Sequence, residues 1–277
     1  MAFSLLSTSI EIKKRDEEMG EPEFSIFSRP HFKVKEDDFF LNVRDVARYR
    51  VQNGEKILVC PYENANEESI LLFLEGSVFG ALLHQRGILP FHGSSFVHKG
   101  KGIAVCGCSG AGKSAVTAAF CGQGAIFVND DITPVSVTGT ETDILPVKTR
   151  IKLWNDSLKE LEIVSGNLQK IRPGMEKFYL PVEERYEKEH PLNYIFILST
   201  HNKDEFRATE LKGIEKYRAL RHQIYRKIYL KGMPETEKRY FGQLLLLASK
   251  VKVISIVRPQ ICDIQKTMRF IDNEIES

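Results

Sequence analysis

The chain has 277 residues, 42% hydrophobic and 27% charged, with a formal net charge of +2 at pH 7. Those values suit a globular protein of one large domain or two smaller ones, and the near-neutral charge supplies no field to gather nucleic acid. The five cysteines (Cys60, Cys106, Cys108, Cys121 and Cys262) form no C-x-x-C pair and no zinc-type spacing, so they read as buried small residues rather than metal ligands, and reduced thiols suit a cytosolic protein.

The opening "MAFSLLSTSIEIKKRDEE" has an apolar stretch with no basic residue before it, the wrong charge order for an export signal. No apolar run reaches membrane-span length, so a cytoplasmic protein with no membrane partner is expected. Residues 1–65 read as strands in "FSIFSRPHFKVK", "DFFLNVRD" and "RYRVQNGEKILVCPY", and Asn53-Gly54 between two alternating runs signals a hairpin. "EESILLFLEGSVFGALLHQRG" begins behind Asn66, a good N-cap, and closes at Gly87, a good helix-ending residue. It is apolar on nearly every face and predicts one buried helix over 67–87. The expected organisation is a β-rich N-terminal domain with its linking helix over 1–87 and a catalytic domain over 88–277.

Next come predicted strands at 94–98 and 102–106. They lead into "GCSGAGKS", residues 107–114, which matches the phosphate-binding loop pattern G-x-x-x-x-G-K-[ST]. Such a loop works because successive backbone N–H groups curl around an anion at a helix N-terminus. Gly107, Gly110 and Gly112 permit the tight turn, with Ser109, Ala111 and Ala115 completing the cradle. Lys113 is expected to reach the outer phosphates and the Ser114 hydroxyl to sit on Mg²⁺, so ATP and Mg²⁺ are the expected cofactors. An Ala-rich helix ending at Gly122 and Gly124 follows, then the strand "AIFVNDD", completing a βαβ phosphate-binding unit. The adjacent carboxylates Asp130 and Asp131 close that strand at the end which faces the ligand crevice in α/β sheets. One carboxylate can hold metal through water while the other orients a nucleophile; a solvated turn is the bland alternative. His92, in "PFHGSS", precedes the strand expected beside the loop, and a lone histidine is more often structural than chemical.

Further strands are predicted in "VKTRIKLW", "PLNYIFILST" and "KVKVISIV", and helices over 214–231, 236–249 and 260–275. The first of these helices gathers Lys216, Arg218, Arg221, Arg226, Lys227 and Lys231. A solvated face is the default reading, and docking of an acidic peptide the sharper one.

"LLHQRGILPFHGSSFVHKGKGIAVCGCSGAGKSAVTAAF" followed by "FVNDDITPV", and then "TRIKLWNDSL" and "IRPGMEKFYLPV", resembles the HPr kinase-like group of P-loop serine kinases across most of residues 67–200. The resemblance implies an α/β fold with a P-loop, HPr kinase-like catalytic core and a smaller β-rich N-terminal domain. It also implies ATP-dependent transfer of a phosphoryl group to a serine hydroxyl of a peptide or small protein. The stand-alone kinases of that group include tailoring enzymes of lasso-peptide biosynthesis, which makes a precursor peptide the implied substrate. By position, Asp130 takes the hydroxyl proton, Asp131 supports the metal with Ser114, Lys113 holds phosphate, and His92 stands near the transferred group. Three departures mark this chain: Cys108 follows the first loop glycine, Ala115 follows the loop serine, and "TRIKLW" lacks the acidic residue that the bifunctional members carry there. By position, Arg150 or Lys152 is expected to meet phosphate charge in its place. The alternatives are a kinase of a carrier protein or small metabolite, and a nucleotide-gated binding module. A homo-oligomer is left open.

Overall fold

The computed structural model describes residues 9–12, 19–172, 174–182 and 185–276. Of the opening stretch read for an export signal only Ser9–Ile12 is included, and the rest lies outside the described residues, as does Pro173. The chain forms two compact units, Met1–Pro90 with Tyr225–Gln243, and Phe91–Ile224 with Leu244–Ser277. The first unit therefore includes Tyr225–Gln243, which a boundary at 87/88 leaves on the other side.

In the first unit β1 (Ser9–Ile12), β2 (Phe27–Arg29), β3 (Phe32–Lys35), β4 (Asp38–Val43), β5 (Ala47–Gln52) and β6 (Lys56–Pro61) make one sheet. Its order is β1-β6-β5-β4-β3-β2, antiparallel except where β1 joins β6. Alternation sends Ala47, Tyr49 and Val51 of β5 into the core. The hairpin signal is realised, with Asn53 and Gly54 both at positive φ (55° and 66°). Gln85 clamps that turn, accepting from the Gly54 N–H at 2.8 Å and donating to the Val51 carbonyl at 3.0 Å.

The predicted 67–87 helix has its expected ends: Asn66 accepts from the Ser69 N–H at 3.0 Å, and Gly87 is left-handed at φ 68°. Its interior differs, with α1 (Glu67–Phe73) and α2 (Phe79–Arg86) separated by a π-helical turn, Leu74–Val78. Close packing accompanies the irregularity, since a Cβ on Gly80 would come within 2.9 Å of the Tyr225 ring. Tyr225–Gln243 is held by side chains rather than local pattern. His84 Nε2–H donates to the Tyr225 carbonyl at 2.9 Å, and the Tyr229 ring packs on Phe32 and Phe39 at centroid distances of 5.1 and 4.7 Å.

From β7 (Leu89–Phe91) the chain enters the second unit through β8 (Gly93–His98), β9 (Lys101–Gly107), α3 (Lys113–Gly122) and β10 (Ile126–Asn129). There follow β11 (Thr133–Thr138), β12 (Glu141–Ile144), β13 (Arg150–Trp154), α4 (Asn155–Glu160), β14 (Lys177–Pro181), β15 (His190–His201), β16 (Arg207–Glu210) and α5 (Gly213–His222). The last elements are α6 (Pro234–Lys250), β17 (Lys252–Pro259) and α7 (Ile264–Glu276). β9, β15 and β17 lie side by side and parallel. β8 runs antiparallel to β9 and β10 antiparallel to β8, so β10 is parallel to β9 with β8 between them. The expected strand–loop–helix–strand unit thus forms with a strand inserted in its middle. "TRIKLW" is also a strand, but among the described residues β13 pairs with β14 alone, in a two-stranded sheet. The core gathers Phe127 and Phe196 with Val116 and Phe120 of α3 and Met268 and Ile271 of α7, all buried. Phe96 stacks on Phe120 at 4.5 Å.

The single basic helix expected over 214–231 does not form. α5 ends at His222, Arg226 takes φ 50°, and a 3₁₀ turn spans Lys227–Gly232. Tertiary pairing overrides helical propensity there: the Gln223 carbonyl accepts from the His92 N–H at 2.8 Å, and Ile224 bridges Phe91. The continuous basic face is therefore split, and the break secures the backbone of His92. Among the described residues no helix is long and apolar enough to cross a membrane.

Candidate active site at the Gly107 loop

The site starts where β9 ends. Gly107 pairs with Leu198 of β15 at φ 138°, and a Cβ there would land on the Leu198 carbonyl oxygen. Only glycine permits that approach. Gly110 and Gly112 also have positive φ (83° and 94°). Gly112 is the N-cap of α3 and supplies no side chain to the first helical N–H groups, which leaves them directed at the loop's concavity.

Lys113 is buried and fully engaged. Its Nζ donates to the carbonyls of Gly107 and Cys108, both at 3.0 Å, and lies 3.3 Å from His92 Nε2. A lysine has only donors, so Nε2 must accept. The other ring nitrogen, Nδ1, then carries the proton and donates to the Asp131 carbonyl at 3.1 Å. His92 is neutral in this arrangement, and burial followed by the Lys113 charge holds its pKa below the ordinary histidine value. Burial likewise lowers the pKa of Lys113.

The two aspartates separate sharply. Asp130 is 2% exposed. Its Oδ1 accepts from Ser94 Oγ at 2.5 Å and Ser114 Oγ at 2.7 Å, and its Oδ2 from the Lys152 N–H at 2.8 Å. Three elements, β8, α3 and β13, thereby lock one carboxylate beneath the loop. Asp131, at φ 72°, turns the other way into the cleft. Lys152 Nζ lies 3.1 Å from its Oδ2 and His92 Nδ1 3.9 Å from its Oδ1. Burial pushes the Asp131 carboxyl up, but the Lys152 ammonium outweighs it and holds the group below the usual carboxylate range. Burial also opposes the charge on Lys152, and Asp131 reverses that effect and raises its pKa.

Of the residues singled out from sequence, His92, Ser109, Gly110, Gly112, Lys113, Ser114, Ala115 and Asp131 line one cleft. Gly107, Ala111 and Asp130 stand behind that lining. Of the two cations proposed for phosphate, Lys152 lines the cleft, whereas Arg150 stacks on the Tyr179 ring at 3.5 Å. Sequence reasoning missed four contributors. Ser94 bonds Asp130; Trp154, the chain's one tryptophan, stands 51% exposed at the cleft with Lys177 Nζ 5.4 Å from its ring. Arg258 is buried, and its Nη2 donates to the Ala111 carbonyl at 3.0 Å. These contacts join residues far apart in the chain, so no local pattern marks them.

Among the described residues no group of three or more His, Cys, Asp or Glu side chains could hold a metal ion by itself. Magnesium does not require one, since it is commonly held by one or two protein oxygens plus phosphate and water. The donor set here, a serine hydroxyl bonded to a buried carboxylate beside a lysine and a glycine cradle, fits a magnesium–triphosphate group.

No family model matches the chain, and no curated protein matches it. Among solved structures it is similar to the HPr(Ser) kinase/phosphatase from Coxiella burnetii, with 11% identity and a TM-score of 0.34, over 68% of this chain and 88% of that one. So distant a likeness carries no weight for reaction or substrate.

Proposed function

We propose that the protein is an ATP-dependent, magnesium-dependent P-loop phosphotransferase acting on a serine hydroxyl of a peptide or small protein. The observation that carries the reading is the pairing of Ser114 with Asp130 at 2.7 Å directly beneath the glycine loop, with a second carboxylate, Asp131, free of that duty and facing the cleft. MgATP, when bound, supplies the phosphoryl group and the divalent charge that neutralises it. Ser114 and Asp130 would hold the metal side, which reverses the division of labour that the sequence suggested. Asp130 has both oxygens occupied, so it is poorly placed to receive a substrate proton.

Asp131 orients the acceptor hydroxyl and receives its proton. Its low pKa makes it a weak base, which is sufficient because phosphoryl transfer depends mainly on positioning and charge neutralisation. Lys152 and Lys177 counter the charge that develops at the cleft. Neutral His92 fixes Lys113 on one side and the Asp131 backbone on the other. The motif resemblance favours a lasso-peptide-type precursor as substrate, and the free thiols favour the cytoplasm.

Incubating the protein with MgATP and serine-containing precursor peptides tests the reading by mass spectrometry and ADP release. Phosphopeptide formed in step with ADP is expected. Nucleotide binding with no hydroxyl modified would favour the nucleotide-gated module instead.

A further inference from the structure

We propose that the groove between the loops following β15 and β17 holds the base of the nucleotide whose phosphates occupy the Gly107 loop. This rests on the proposed nucleotide-dependent function and names the missing half of the donor site. The groove is lined by His201, Asn202, Lys203, Asp204, Pro259, Gln260 and Ile261. It opens at the C-terminal ends of two strands that run parallel to the loop-bearing strand β9, on the same edge of the sheet, the edge at which open α/β sheets take ligands.

Two features tie the groove to the phosphate loop. Arg258, at the end of β17, donates from Nη2 to the Ala111 carbonyl at 3.0 Å and from Nη1 to the Pro259 carbonyl at 3.0 Å. One buried guanidinium thus joins the cradle to the groove wall. The walls themselves are built rather than loose. The Gln260 N–H donates to the His201 carbonyl at 2.9 Å, and His201 Nε2–H donates to the Glu205 carbonyl at 2.8 Å, pinning both loops to the strand ladder.

The chemistry of the lining separates base from phosphate. The cleft at the Gly107 loop carries Lys113, Lys152, Lys177 and Asp131, a set suited to phosphate and acceptor but not to an uncharged aromatic ring. The groove carries one cation and one anion, Lys203 and Asp204, whose charges offset each other, and adds Ile261, 95% exposed, as an apolar face and the Asn202 amide, which can both donate to and accept from a base edge. An apolar side chain left that bare at a polar loop gains most from a flat ring laid against it.

Trp154 supplies the probe, because the only tryptophan lines the phosphate cleft. Titrations of its fluorescence compare MgATP with magnesium tripolyphosphate, which has the phosphates and no base. Wild type is expected to bind MgATP more tightly than tripolyphosphate. Ile261→Glu, at a fully solvated position that the fold does not need, is expected to weaken MgATP ~10-fold, a difference of about 1.4 kcal/mol, with tripolyphosphate unchanged. Asn202→Ala is expected to act in the same direction. Equal wild-type affinity for the two ligands, or an unchanged MgATP affinity in both variants, overturns the base site while leaving the phosphate site standing. Failure of wild type to bind either ligand overturns the nucleotide reading itself.

Discussion

The two neighbouring carboxylates show how one residue step changes chemistry. Asp130 follows a buried strand and meets three donors; Asp131, one residue on, has left-handed backbone and meets Lys152 in the cleft. Asp131→Asn is expected to leave MgATP affinity near normal and slow peptide phosphorylation by ~100-fold or more, the scale of a lost proton acceptor. It also strips a buried lysine of its partner, so thermal melting should be recorded alongside. Asp130→Asn should instead raise the Mg²⁺ concentration needed for half-maximal rate. Wild-type Mg²⁺ dependence in that variant would return Asp130 to the role of base. Lys113→Ala is expected to reduce transfer by ~10²-fold or more with circular dichroism unchanged. The state of His92 adds a pH test. Its pKa is depressed below 6.5, so it is neutral at pH 7 and gains a proton only as the pH falls further. That proton would occupy Nε2, which accepts from Lys113, and set two cations side by side. kcat/KM is expected to fall on an acid limb below 6.5, and His92→Gln, which cannot titrate, to flatten that limb.

At the scale of elements, the loop depends on close backbone approach as much as on its lysine. Gly107 is clasped between β9 and the Leu198 carbonyl of β15 at a φ that side chains rarely adopt. Gly107→Ala is therefore expected to cost more than the ~1 kcal/mol of an ordinary glycine replacement and to abolish MgATP binding. A variant that binds MgATP normally would mean that the loop does not need this geometry. Gly110 is a control within the same loop: its φ is also positive, but a Cβ there meets nothing within 4 Å, so Gly110→Ala should be milder. The β13–β14 pair contributes differently, bringing the Lys152 amide to Asp130 and its ammonium to Asp131. One strand residue thereby positions both carboxylates.

For the whole molecule, the fastening of Tyr225–Gln243 into the first unit depends on a fully buried histidine. His84 faces the Tyr225 carbonyl at 2.9 Å and the Tyr240 hydroxyl at 3.1 Å, and that hydroxyl also lies 2.7 Å from the Ile88 carbonyl. Burial lowers the His84 pKa from 6.5 to about 4. Between those values the unfolded chain binds a proton that the folded one does not, so stability falls as pH falls through that window. The contribution is on the order of 3 kcal/mol, present in full above 6.5 and lost near pH 4. Chemical denaturation across this range should show a slope worth about one proton, which His84→Gln removes whatever its absolute stability. An unchanged slope would mean that His84 is already charged in the folded protein.

Features carried by a few adjacent residues were legible from the chain alone. The Asn66 cap, the Gly87 stop, the Asn53-Gly54 turn and the glycine loop between strand and helix all occur where local backbone chemistry demands them. Features that depend on partners far along the chain were not legible. The helix expected over 214–231 broke because 223–224 pairs with 91–92, and the different surroundings of Asp130 and Asp131 are set by Ser94 and Lys152. Arg258 reaches the loop across 147 positions. A side chain's hydrogen-bond partners, and with them its charge state, are set by neighbours that folding brings together, so local pattern could place the glycine loop between its strand and helix but could not give the surroundings of the charged groups beside it.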